Sequence, residues 1–255
     1  MFVANQRKKL GVVRLEDIYY ASEVQPSQKG CDALYYFHSK EPGKNARELS
    51  TLHIDLSPDE DTLFRSFNYQ TRKSIRKMLD REDLKICILD PPEPDDLDQY
   101  STYFNQFASI KNIWSCSRQL LDELLAMKRL VLIKAMVQEE VLCQYVFFED
   151  GDRVVVYAGC TARLFEPVER EKLQLICDAH RMMDYQSMLY FKKKGMHTFD
   201  FCGLSVQDGE TVCASVNQYK LGFGGTPVKE YHFMNPITLR GKLFCWMKAR
   251  QGGLG

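Results

Sequence analysis

The sequence predicts a mixed α/β fold (α+β), a sheet with a central antiparallel meander flanked by helices, on three observations. Apolar β-like runs and amphipathic helical stretches are interspersed from residue 50 onward. Three consecutive β-like runs, 130–137, 141–149 and 153–160, are separated only by Gln138-Glu139-Glu140 and Asp150-Gly151-Asp152, turns short enough for hairpins. Hydrophobic residues make up 45% and charged residues 27%, the balance of a folded chain rather than a disordered one. At 255 residues one main domain is expected, over 51–236, preceded by a β-rich segment, 1–50, and followed by a helix and tail, 237–255.

Each element has its own warrant. Residues 11–20, 33–37 and 50–56 are rich in Val, Tyr, Leu and Ile and lie between stretches carrying Pro26, Gly30, Pro42 and Gly43, so they read as strands. Ser57 offers an N-cap, Pro58 suits the first helical position and Glu60 completes a capping box. Leu63, Phe67, Ile75 and Met78 follow at helical spacing, which predicts one long helix over 58–81. A strand over 84–89 ends at Pro91-Pro92, and 95–107 and 117–127 read as two amphipathic helices before the meander. A helical pattern then runs from Pro167 to about Lys194, with a break expected near Asp184 and Gly195 at the C-terminal cap. A strand over 197–201, a helix over 215–221, a strand over 228–233 and a terminal helix over 238–250 complete the order. In the last of these, Leu243, Phe244 and Met247 are expected to face the body.

Lys and Arg together number 34 and Asp and Glu 34, so no global field favours nucleic acid, membrane or an acidic substrate. Residues 1–13 carry Arg7, Lys8 and Lys9 without an apolar core after them, and no stretch approaches the roughly 18 apolar residues of a span. A cytoplasmic protein without a membrane partner is the expectation. The nine cysteines are odd in number and scattered through apolar segments, which favours reduced buried thiols over a disulfide framework. Cys177 with His180 is only a half-motif, and no metal is expected.

Three motifs carry the functional reading. Thr71-Arg72-Lys73-Ser74-Ile75-Arg76-Lys77 lies on the expected long helix. Tyr190-Phe191-Lys192-Lys193-Lys194-Gly195 runs on to Phe199-Asp200-Phe201-Cys202-Gly203, a helix ending in Gly and then a strand. Asn217-Gln218-Tyr219-Lys220-Leu221-Gly222-Phe223-Gly224-Gly225 is a helix end followed by a glycine turn. In content, order and separation these resemble the Fem-type (FemABX-like) acyltransferases, a branch of the GNAT superfold. The resemblance implies a GNAT-like domain over 51–236 that transfers an acyl group to an amine. The β-rich first 50 residues then stand where longer members carry a first GNAT-like half.

Acyl transfer to an amine needs a neutral nitrogen, a place for the carbonyl oxygen to become negative and a grip on the donor. By resemblance Lys220 would point its ammonium at the tetrahedral intermediate, against the plain reading of a surface lysine with a buried stem. Tyr219 would order the pocket or protonate a leaving group. Arg72 and Arg76, at i and i+4 on one helical face, read as structural or phosphate-binding groups, or equally as surface ion pairs. Asp200 holds the acceptor amine or accepts hydrogen bonds from a neighbouring loop, and Tyr157, Gly203 and Asn217 are expected to line the same cleft. His180 has no evident partner and reads as a satisfied or exposed histidine rather than a general base.

One departure stands out. Ordinary GNAT enzymes hold the pyrophosphate of coenzyme A on a glycine-rich loop at a helix N-terminus, and the corresponding Thr161-Ala162-Arg163-Leu164-Phe165-Glu166-Pro167 contains no glycine. Acyl-CoA or acetyl-CoA as donor is therefore implied by the superfold alone, with Arg163 as a partial substitute. The expected function is N-acyl transfer from a thioester to an amino sugar or other small amine. Aminoacyl transfer from charged tRNA, and an inactive GNAT-like binding module, are the alternatives.

Overall fold

The computed structural model describes residues 2–9, 12–21, 30–164, 168–204 and 211–250, with backbone alone at 2–9, 164 and 211–214. The chain begins with strands β1 (Phe2–Lys9), β2 (Val13–Tyr19), β3 (Ala33–Ser39) and β4 (Arg47–Asp55), followed by helices α1 (Glu60–Ser66) and α2 (Tyr69–Leu79). Next come β5 (Leu84–Leu89), α3 (Pro94–Lys111), α4 (Arg118–Ala126), and the meander β6 (Leu130–Val137), β7 (Glu140–Asp150) and β8 (Arg153–Thr161). The chain continues with α5 (Arg170–Lys193), β9 (Thr198–Asp200), α6 (Thr211–Leu221), β10 (Thr226–Pro236) and α7 (Leu239–Arg250). Mixed α/β is thus the architecture, and the meander falls where the turn residues placed it.

The long helix expected over 58–81 is two helices. Asp59, not Ser57, caps the first, its carboxylate accepting the Thr62 N–H at 2.9 Å, while Ser57 lies before the helix and donates its hydroxyl to Asp55 at 2.6 Å. Phe67 is extended, and the Asn68 side chain accepts the Thr71 N–H at 2.8 Å to start α2 afresh. A side-chain oxygen at this position satisfies one of the orphan N–H groups of the new helix, which makes a restart as favourable as continuation. The break expected near Asp184 does not occur, and α5 runs unbroken for 24 residues.

The chain divides into two compact units. The larger comprises Leu52–Cys202 and Ser215–Thr226. In it the strands follow the order β4-β9-β8-β7-β6-β5, antiparallel throughout except for the parallel pair β8 and β9. Successive residues of a strand face opposite sides, and Phe147 and Phe148 of β7 show which helices cover each side. Phe147 packs on Phe191 of α5 and on Phe199, whereas Phe148 reaches Tyr157, which touches Trp114 beside Phe104 of α3. Phe147, Phe191 and Phe199 are fully buried, each contributing roughly 2–3 kcal/mol of transfer free energy.

The other unit comprises Met1–Thr51, Gly203–Ala214 and Pro227–Gly255. Its strands follow the order β1-β2-β3-β10, with β2 and β3 parallel. Its core holds Ile18, Leu34, Tyr36 and Phe233, the last two rings stacked at 4.5 Å. Helix α7 lies on β2 through Phe244, which packs with Val13, Leu15 and Ala33. Its start is tied down by Asp32, whose carboxylate accepts from Thr238 Oγ1 at 2.6 Å and from the Arg14 N–H at 2.9 Å. Met247 joins this cluster, but Leu243, expected on the same side, points to solvent with 57% of its surface exposed. No helix among the described residues is long and apolar enough to cross a membrane, and all eight described cysteines are free thiols.

Candidate functional site

Two parallel strands part company in the larger unit. Strand β9 pairs with β8 only at Arg153 with Thr198, Val154 with Phe199 and Val155 with Asp200, and among the described residues that ladder ends there while β8 continues to Thr161. Just past the divergence β8 carries a bulge. Val156 faces Phe147 and Ala158 faces Val146, so Tyr157 is the extra residue, left out of the ladder. The region where neighbouring strands separate exposes backbone polar groups that a ligand can use, provided side chains arrive to complete it.

Those side chains come from α5 and α6. Lys220 donates from Nζ to the carbonyl of Cys202 at 3.1 Å, just beyond the end of β9. Burial holds its ammonium below the ordinary lysine value, against the opposing pull of Cys202, Asp200 and Asp184. The neighbouring Tyr219 donates its hydroxyl to Asp184 Oδ2 at 2.6 Å, its ring stacks on His180 with centroids 4.6 Å apart, and the Arg181 guanidinium also lies over this ring, at 5.1 Å. His180 Nε2 in turn meets the Tyr145 hydroxyl, and the Tyr145 ring fills the space beside Gly159 of β8, where a Cβ would lie 1.9 Å from it.

This cluster is electrically unusual. Burial raises the Asp184 carboxyl from 3.8 to about 7, opposed by the Tyr219 hydroxyl, Arg181 and Lys220. Asp184 Oδ1 is buried and has no hydrogen-bond partner among the described residues. Burial first, then Arg181 and Arg163, lowers His180 from 6.5 to about 3. The imidazole is therefore neutral at ordinary pH, and its 3.9 Å approach to Asp184 is not an ion pair. The Tyr219 hydroxyl is pushed well above its ordinary value by burial and then by Asp184, which keeps its proton in place.

The glycine turn after α6 is shaped by close approach. At Gly224 and Gly225 φ is +75° and +86°, and a Cβ on Gly225 would lie 2.4 Å from Ile54 Cδ1 and 2.6 Å from the His53 carbonyl oxygen. The Asn68 N–H donates to the Gly222 carbonyl at 2.9 Å, which sets the end of α6 against the start of α2. The first and third sequence motifs thus meet in space.

The individual residues expected at the site are distributed as follows. Lys220 and Tyr219 stand together at the divergence, with Asn217 half-buried one turn earlier on α6. Asp200 is fully buried; its Oδ1 accepts the Cys202 N–H at 2.8 Å and its Oδ2 faces Arg153 at 3.4 Å and His53 at 3.5 Å. Those bonds suit its structural role, and Asp200 also attracts the Lys220 ammonium. Gly203 follows Cys202 with open space where a Cβ would be. Tyr157 faces Trp114 on the α3 side, away from the His180 and Tyr219 rings. Arg72 donates to the carbonyls of Arg65, at 3.0 Å, and Phe67, and Arg76 lies over the Phe64 ring at 5.4 Å, so both arginines secure the end of α1.

Two clefts open in this unit. One of about 610 Å³ is bordered by Tyr103, Lys134, Gln144, Ala162, Glu169 and Lys172, at the end of β8 and the start of α5. Lys134 is 3.1 Å from Asp96, and Lys172 is 2.7 Å from Glu140. The other, about 530 Å³, reaches from the glycine turn at Gly225 to His53, Asp55, Ser57 and His197. Residues 165–167 of the glycine-free stretch lie outside the described residues. Asp184 and Tyr145 were not singled out from sequence. The available signal was an aspartate inside the apolar run Met182-Met183-Asp184-Tyr185, four residues after His180, since unpaired acids are rarely buried.

No protein-family model and no curated protein matches the sequence. Solved structures do match. FemX aligns with a TM-score of 0.57 at 12% identity, over 73% of this chain and 61% of FemX. The C-terminal domain of a putative lysylphosphatidylglycerol synthetase from Agrobacterium fabrum aligns with a TM-score of 0.52 at 9% identity, over 86% of this chain and 72% of that one. The L-PGS of Bacillus licheniformis gives 0.51 at 10% identity, over 86% and 73%. At such identities the likeness is one of fold alone: the chain has the mixed α/β fold that these structures share, FemX among them as the resemblance implied.

Proposed function

We propose that this chain is an N-acyltransferase whose reaction centre lies where β8 and β9 diverge. The observation that carries the reading is the Tyr219–Lys220 pair, delivered to that point by α6, with Lys220 Nζ on the Cys202 carbonyl and the Tyr219 hydroxyl on Asp184. A half-buried ammonium in a region depleted of water is a strong stabiliser of negative charge. In the reaction an amine nitrogen bonds to the acyl carbon, the carbonyl oxygen becomes negative beside Lys220, and the bond from carbon to the leaving group breaks. The proton that the nitrogen loses is the one the leaving thiolate gains, through solvent, so the step balances without a net change at the protein, while the Tyr219 hydroxyl, kept protonated and bound to Asp184, orders the pocket around Lys220.

The donor is an acyl thioester such as acyl-CoA, and the cleft at the start of α5 is its seat. That cleft adjoins the helix N-terminus where free N–H groups favour anions, and Lys134 and Lys172 border it. Arg72 and Arg76 serve the scaffold in this reading, since both are engaged by α1. A second reading, aminoacyl transfer from charged tRNA, is favoured by the names of the matching folds, FemX and lysylphosphatidylglycerol synthetase.

Thermal-shift titration separates the donors, because a ligand that prefers the folded state raises the melting point. Acetyl-CoA or a longer acyl-CoA is expected to raise it and charged tRNA to leave it unchanged; the reverse pattern would select the second reading, and no shift with either would remove transferase activity altogether. With the active donor, Lys220→Ala is expected to lower kcat by about a hundred-fold, the loss of roughly 3 kcal/mol of transition-state stabilisation.

A further inference from the structure

Helix α7 has two apolar faces. One, bearing Phe244, is buried on β2. The other carries Leu239, Leu243 and Trp246, spaced by four and three residues and so aligned on one side. These three are 82%, 57% and 51% exposed. Single exposed apolar residues are ordinary, but three large ones in a row on one turn-to-turn stripe are not.

The charges that α7 itself carries are all of one sign. Arg240, Lys242, Lys248 and Arg250 lie on α7, and the helix contains no Asp or Glu. Arg250 sets its guanidinium over the Trp246 ring at 3.9 Å, at the end of the stripe. Asp32, the acid nearest the start of the helix, is buried and committed to Thr238, the Arg14 N–H and Arg240.

We infer that α7 docks this protein on an anionic lipid surface, with Leu239, Leu243 and Trp246 entering the headgroup boundary and the flanking cations facing the phosphates. An apolar face rimmed by Lys and Arg, with tryptophan among the inserted residues, is the pattern of helices that lie in a membrane interface. Nucleic acid would use the same cations but leaves leucines unserved, and a protein partner has no need of uniform positive charge. The net charge of zero concealed this patch, because it averages one basic face against acids elsewhere.

The full chain is tested with phosphatidylcholine vesicles with and without phosphatidylglycerol. It is expected to sediment with the anionic vesicles only, and less so as salt rises. The protein has two tryptophans, Trp114 and Trp246, so the emission blue shift on binding should persist in Trp114→Phe and vanish in Trp246→Phe. Leu243→Glu, at an exposed position, should keep the native melting temperature and weaken vesicle binding at least ten-fold, and Lys242→Ala should weaken it roughly five-fold. Equal binding to neutral vesicles, unchanged binding by Leu243→Glu, or no binding at all would overturn the proposal. So would a wild-type dimer that Leu243→Glu splits, or RNA binding that survives Leu243→Glu without any vesicle binding.

Discussion

Asp184→Asn should make the protein more stable at neutral and mildly alkaline pH. The buried carboxyl titrates at about 7 in the fold against 3.8 when free. Between those values the folded state keeps a proton that the unfolded state releases, so this group makes stability fall as pH rises from 3.8 and the penalty is complete above about 7. At about 1.4 kcal/mol per pH unit, that is on the order of 4 kcal/mol. His180 acts in the opposite direction: lowered from 6.5 to about 3, it makes stability rise with pH over that interval. The two nearly cancel in the wild type, so its own profile is uninformative and the difference between mutant and wild type is the quantity to measure. Asparagine can still accept the Tyr219 hydroxyl, and it cannot ionise. Urea denaturation at intervals from pH 4 to 8 should show the mutant gaining about 4 kcal/mol relative to wild type across the range. A difference that stays flat within about 1 kcal/mol would mean that Asp184 ionises normally and that the buried cluster is not as dry as its geometry indicates.

The glycine turn offers a paired test by melting temperature. Gly225→Ala should cost about 3 kcal/mol from positive φ plus collision with Ile54 and His53, whereas Gly195→Ala, at φ +88° with nothing nearby, should cost only about 1 kcal/mol. Equal losses would mean that strain alone matters at Gly225. Arg72→Ala frees the carbonyls of Arg65 and Phe67 and should lower stability by about 1–2 kcal/mol without changing donor affinity; weaker donor binding at unchanged stability would return Arg72 to the site. Tyr219→Phe should lower turnover while leaving KM for the donor within about two-fold, and a change confined to KM would make Tyr219 a binding group.

What the sequence made legible follows from how local each signal is. The meander was readable because Gln138 to Glu140 and Asp150 to Asp152 punctuate three apolar runs, and strands β6, β7 and β8 all fall within one residue of the expected bounds. The break at Phe67 and Asn68 was not, since the apolar spacing continues through it and only the cap bond from Asn68 to Thr71 reveals the restart. Strand β1 was missed because Gln6 to Lys9 reads as a solvated basic stretch, and its pairing with β2 is a tertiary choice. Lys220, Tyr219 and the glycine turn were found through resemblance. Asp184 left one signal in the sequence, an acid inside an apolar run, and its complete burial is what gives that signal meaning. Tyr157 was expected in the cleft with the residues that the resemblance brought, whereas it lies on the side of Phe148 and Trp114, two residues on from Val155, which pairs with Phe148.

The bulge at Tyr157 has a further consequence. Inserting or deleting one residue in a regular strand inverts every side chain beyond it. Here the pairs on either side of Tyr157, Val156 with Phe147 and Ala158 with Val146, are already in step with each other across β7. Excising Tyr157 would therefore join two halves that match, leaving Gly159 against Tyr145 and Cys160 against Gln144 as before. The sheet has no need of this residue to keep its inside in and its outside out, so its presence is a spare link in the strand, free to be shaped by whatever is held where the strands part.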